Sequence, residues 1–134
     1  MAMEEWEMVE YVLGVLDEIE ELESLGRETC RFVFRSKDQS VPRPVQMLIS
    51  GSLGGGADVV AIAQVSDEHL NEAVAAAEHV PLAGVATIGD TNWFLKSGTF
   101  KTVLDPASLR NHMFVVAMAH NHYTSLVEQK LAAS

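Results

Sequence analysis

A chain of 134 residues and 14.6 kDa has room for one hydrophobic core, so residues 1–134 are expected to form a single domain. Apolar residues make up 48% of it, yet no run nears the roughly 20 consecutive apolar residues of a membrane span, and no charged segment leads into an apolar one at the N-terminus. The formal net charge of −10 argues against nucleic acid and anionic membrane surfaces as partners, since both call for a basic patch.

Cys30 is the only cysteine, which rules out an internal disulfide, fits a reducing, cytoplasmic setting and leaves the thiol to core packing beside Phe32. The acids are unevenly placed: Glu4, Glu5, Glu7, Glu10, Asp17, Glu18, Glu20, Glu21 and Glu23 all precede the first basic residue, Arg27. They share a segment with two apolar rows, Trp6, Val9, Leu13 and Leu16 beside Met8, Val12, Val15, Ile19 and Leu22. That spacing predicts an amphipathic helix from Met3 to Leu25 with Gly26 as its stop.

From Cys30 the period changes to two, with Phe32 and Phe34 alternating against Arg31, Val33 and Arg35, the pattern of a half-buried strand. Pro42 and Pro44 remove two amide donors and push Val41 and Arg43 extended, so this stretch is expected to be an edge or connector. Val45 to Ser50 and Asp58 to Val65 read as two strands of a hairpin joined by Gly51-Ser52-Leu53-Gly54-Gly55-Gly56. Ser66 with Asp67 and Glu68 then opens a helix running to His79, with Leu70, Val74 and Ala77 inward.

Leu82 to Ile88, Trp93 to Lys96 and Phe100 to Leu104 are three short strands of an antiparallel meander. Asp105-Pro106 combines a cap with a proline at the first helical position and starts a long C-terminal helix. Its inward row is Leu109, Met113, Val116, Tyr123, Val127 and Leu131, widened by Phe114 and Met118. The predicted order is α-β-β-β-α-β-β-(β)-α, an α+β fold with helices packed on an antiparallel sheet.

No catalytic set assembles from these residues. The Gly-rich run lacks the Lys-Ser/Thr of a phosphate loop, since Ala57-Asp58-Val59 follow Gly56, and the next element is extended rather than helical. No Gly-x-Ser-x-Gly elbow occurs, and the paired carboxylates lie on a polar helix face without apolar surroundings that would raise a pKa. His120-Asn121-His122, with His112 nearby, is the most chemical cluster, because His-x-His on a strand can share a zinc ion. On a helix, residues two apart point about 200° from each other, so the predicted C-terminal helix separates them. No cofactor or metal is therefore expected.

Two resemblances bear on these residues. Ala119-His120-Asn121-His122 looks like the core of the JAB/RadC metallopeptidase motif, which implies a metal-dependent hydrolase using His120 and His122; the chain departs from it with Tyr123-Thr124-Ser125 and no later Asp. Over nearly its whole length, the element order, the acidity and the stretch from Asp67-Glu68-His69-Leu70 through Trp93-Phe94-Leu95 to Asp105-Pro106-Ala107-Ser108-Leu109 resemble the type III secretion chaperone-like fold, YbjN-like proteins included. This implies a non-enzymatic homodimer that holds an extended segment of a partner protein. The contact residues expected on that basis are Phe32, Phe34, Met47, Ile49, Trp93 and Leu95, all of which also suit a plain core. The roadblock/longin group has a similar mixture but is expected to place two strands before its middle helix, so the state of Asp58 to Val65 distinguishes them.

Overall fold

A computed structural model describes residues 2–51, 57–62, 65–80, 83–88, 92–99 and 106–133 of the chain. They form an α+β fold, a six-stranded antiparallel sheet with helices packed on it. The first helix, α1, is Ala2–Val15 and buries Val9, Val12 and Leu13, as its apolar rows predict.

The helix stops well short of Leu25. Ile19–Gly26 is instead a strand, β1, antiparallel to β2, Thr29–Phe34, with Ile19 opposite Phe34 and Gly26 opposite Thr29. Glutamate and leucine favour helix locally, but β2 would otherwise end the sheet with a row of unpaired amides and carbonyls beside the buried Phe32 and Phe34. Pairing satisfies those groups and sets Glu23 against Arg31 at 2.6 Å and Glu20 against Arg35. Both ion pairs are exposed and contribute only about 0.2–1 kcal/mol each, so the backbone ladder decides. The poor local fit remains visible as two register shifts along β1 and as a left-handed Glu21, φ 55°. Gly26, φ 115°, serves the hairpin turn rather than a helix end.

Residues 35–44 connect β2 to β3, Val45–Gly51, and bury Val41 among the core side chains. β3 pairs with β4, Ala57–Ala61, Met47 facing Ala61 and Gly51 facing Ala57, which is the expected hairpin; the glycine run at 52–56 lies outside the described residues. The strand expected over Asp58 to Val65 thus exists, ending at Ala61, and four strands precede the middle helix. A 3₁₀ turn, Asp67–His69, leads into α2, Leu70–His79. Ser66 has the extended conformation of a cap but makes no side-chain capping bond. The inward face of α2 is Ala73, Ala76 and Ala77, while Val74 is exposed and Leu70 half-buried. Small side chains let the α2 backbone come close to the last helix, and that close approach selects the alanine face over the leucine-valine one.

β5, Gly84–Ile88, and β6, Asn92–Thr99, form a hairpin, and β6 then pairs with β4, giving the strand order β1-β2-β3-β4-β6-β5. The third strand expected at Phe100 to Leu104 lies outside the described residues, as does Asp105. Pro106 does begin the long helix α3, Pro106–Ala133. Leu109, Met113 and Val116 are buried as predicted; Leu131 is exposed, because the last turns run past the sheet. One core joins the α1, α2 and α3 faces to Cys30, Phe32, Phe34, Val45, Met47, Ile49, Ala57, Val59, Ala61 and Leu95.

Candidate functional site

Five of the six side chains expected to contact a partner are core. Phe32, Phe34, Met47, Ile49 and Leu95 are each at most 1% exposed and pack under the helices, so a ligand docking on this structure cannot touch them. The correction follows from the pleat: the alternation that marked these residues as one face also turns that face toward α1 and α3. For Trp93 the structure describes only the backbone position, opposite Thr87.

The accessible face is the opposite one. Arg31 and Val33 of β2, Gln46 and Leu48 of β3, Asp58 and Val60 of β4 and the following Ile62 alternate with the core positions. Leu48 stands directly opposite Val60, Val33 opposite Gln46, and the Ile62 amide donates to the Gln46 carbonyl at 2.9 Å. Val60 is 7% exposed yet lies outside the core cluster, so Leu48 and its other sheet neighbours shelter it rather than the helices. Val33, Leu48, Val60 and Ile62 thus make an apolar patch on a sheet face over which, among the described residues, no helix packs. Beside it Glu21, Glu23, Arg31, Phe32, Val33 and Gln46 line a shallow cleft of about 290 Å³ against the β1 edge, Phe32 with no more than the 1% of its surface that is exposed. β1 itself exposes Leu22 and Leu25 and has one side of its backbone unpaired within the sheet.

A second concavity of about 290 Å³ lies between the 35–44 connector, the end of α2 and α3, lined by Ser40, Pro42, Arg43, His79, Met118, Asn121, His122 and Ser125. Asn121, buried in α3, holds the connector: its Oδ1 accepts from the Arg43 amide at 2.9 Å, and its Nδ2 donates to the carbonyls of Arg43 at 3.1 Å and Ala117 at 2.9 Å. The Arg43 guanidinium forks onto Glu128, whose carboxyl this hydrogen bonding holds below the usual carboxylate range.

α3 sends the two histidines of His120-Asn121-His122 to different surroundings. His122 stacks on His79 of α2, ring centroids 4.3 Å apart and planes 16° from parallel. His120 faces Tyr123, its Nδ1 buried with no hydrogen-bond partner among the described residues. Burial, with the Arg43 charge adding to it, pushes its pKa down, and burial does the same to His112. Among the described residues no three His, Cys, Asp or Glu side chains converge as metal ligands. Cys30 is buried, its thiol pushed up by desolvation first and by Glu10 second, the opposite of what a nucleophile needs.

No protein-family profile, no curated protein and no solved structure matches the chain. No helix among the described residues is long and apolar enough to cross a membrane.

The outer apolar patch was legible in one respect. Val33, Leu48 and Val60 sit at the polar phase of their strands, and apolar residues on both phases mark a sheet with something to cover on each face. Nothing in the sequence signalled the meeting of His79 with His122, which depends on how α2 lies against α3.

Proposed function

We propose that the protein is a non-enzymatic protein-binding module, chaperone- or adaptor-like, that holds an extended segment of a partner protein and acts as a homodimer. The observation that carries this is that, among the described residues, helices pack on one face of the sheet only, with Val33, Leu48, Val60 and Ile62 together on the other. An extended segment laid there buries apolar side chains against that patch, and β1 offers unpaired backbone groups to a strand added at the edge. The contact residues are therefore reassigned from the core to the outer face. The acidity of the N-terminal segment favours a partner segment that carries basic residues.

A library of extended peptides displayed against the full chain tests the proposal. Binders should be recovered, and Leu48→Glu should weaken them about tenfold or more, since it sets a charge in the middle of the patch. Sedimentation of the unliganded protein should give a dimer. A strict monomer that retains no peptide, or binders indifferent to Leu48→Glu, would overturn the assignment.

A further inference from the structure

The two edges of the sheet are built differently for meeting another strand. β1 carries Glu20, Glu21 and Glu23, two register shifts and a left-handed residue, the charges and irregularities by which an exposed edge resists pairing with its own kind. The glutamates that favour a basic segment there repel a second β1. β5, at the other end of the strand order, has none of these devices. Its sequence, Gly84-Val85-Ala86-Thr87-Ile88, holds no charge and no proline, and it pairs with β6 without a register shift, from Gly84 opposite Lys96 to Ile88 opposite Asn92. Its other side meets no strand among the described residues. Val85, Thr87 and Ile88 are β-branched, so this is a strand suited to pairing and left half paired.

The helical layer stops short at the same edge. α2 packs on β5 and β6, and between α2 and β5 opens a cleft of about 290 Å³ lined by Val74, Ala77, Glu78, Ala83, Gly84 and Val85. Val74 is 42% exposed there, while Ala83 and Val85 pack partly buried against the core. Glu78, the one charge among the lining residues, is exposed and stays solvated. A small and apolar flank therefore runs from the helix down to the strand edge. An isolated strand added to β5 covers only its lower part, whereas a body that brings a strand and a helix together covers all of it.

A second copy of the chain brings both. Two β5 strands related by a two-fold axis run antiparallel, and the same axis lays α2 of one copy beside α2 of the other, with Val74 at the contact. Charge selects this edge for the meeting. Each chain carries a net charge of −10, β5 itself is neutral, and joining at β5 leaves the β1 glutamates at the two far ends of the combined sheet.

We infer that two copies of the chain join at β5 and α2 into one continuous sheet, with both β1 edges left open for partner segments. This rests on the homodimer reading and supplies its interface. The test is pulsed electron spin resonance on the full chain labelled at Leu25→Cys, an exposed β1 position, the native Cys30 being buried. With strands about 4.8 Å apart, a dimer joined at β5 sets the two labels about 50 Å apart, and one joined at β1 sets them within about 20 Å. In sedimentation, Val74→Glu and Val74→Lys should each weaken dimerisation about tenfold or more, the two signs separating loss of the apolar contact from a change in net charge. Leu48→Glu, on the outer face, should leave the dimer intact. A strict monomer that still binds peptides, a dimer with its β1 labels close together, or a dimer indifferent to both Val74 variants when circular dichroism shows them folded would each overturn the interface. All three outcomes leave the peptide-binding face standing, since Leu48→Glu decides that separately.

Discussion

Asn121 shows how much one side chain can decide. It is the buried polar residue between two histidines that draw attention first, and its amide is satisfied in only one orientation, carbonyl toward the Arg43 amide and NH₂ toward two carbonyls. Two of those bonds fasten Arg43, near the end of a ten-residue connector, to α3, where Pro42 and Pro44 keep the chain extended and unable to supply amide donors of their own. Asn121→Ala strands an amide and a carbonyl of Arg43 in a part-buried place, for an expected loss of about 1–3 kcal/mol in urea unfolding. Asn121→Asp should cost at least as much, because a carboxylate can accept from the amide but meets the two carbonyls with like charge. Loss within a few tenths of a kcal/mol for both would mean that the connector is held by Arg43–Glu128 alone.

At the scale of elements, the segment from Met3 to Leu25 is where local preference and tertiary structure part. Its periodicity and its glutamates describe one helix, and the first half obeys; the second half becomes the edge strand β1, with shifted register and exposed side chains. The turn between them is held to the rest by Glu18, which receives both the Nε and an Nη of Arg110 from the first turns of α3 at 3.0 and 2.8 Å. Once Glu18 is anchored there, a helix through residue 25 would leave the sheet, so the chain turns and lies along β2. A strand made of helix-favouring residues at an edge should open locally before the sheet does. Native-state hydrogen exchange should therefore find the β1 amides protected far less than those of β3, by about 2 kcal/mol or more of opening free energy. Equal protection would mean that β1 is covered, as it would be in a dimer joined along that edge, and repeating the measurement at lower concentration separates the two cases.

Over the whole molecule, the distribution of titratable groups sets how stability follows pH. His112 and His120 are both held below the usual histidine value by burial, so the unfolded chain binds protons that the folded one refuses. The folded state therefore has its full stability above about pH 6.5 and loses it as the pH falls from there through the lowered folded values. Two carboxylates move the other way: exposed Glu128, hydrogen-bonded by Arg43, and half-buried Glu72, bonded first by its own amide and then by Lys130, are held below their ordinary range and keep their contribution until the pH is lower still. Urea midpoints should fall between about pH 7 and pH 5, and His120→Gln should flatten that fall. A midpoint constant across the interval, or a fall unchanged by His120→Gln, would remove the buried histidines as its cause.

The sequence by itself determined the α+β class, the β2 strand with its Phe32 and Phe34 face, the β3–β4 hairpin, the 66–79 helical segment and the long helix opening at Pro106. Each rests on signals that act within a few residues: a period of two or 3.6, a proline at a helix start, a glycine run between two apolar strands. That helix also separates His120 from His122, a consequence of helical pitch alone. Only the tertiary structure decided that residues 19–26 are a strand, that the helices lie on the Phe32 side and leave Val33, Leu48 and Val60 on the other, and that His79 meets His122. These depend on which backbone groups still need partners and which faces meet once the chain is folded, and neither is a property of any short stretch of residues.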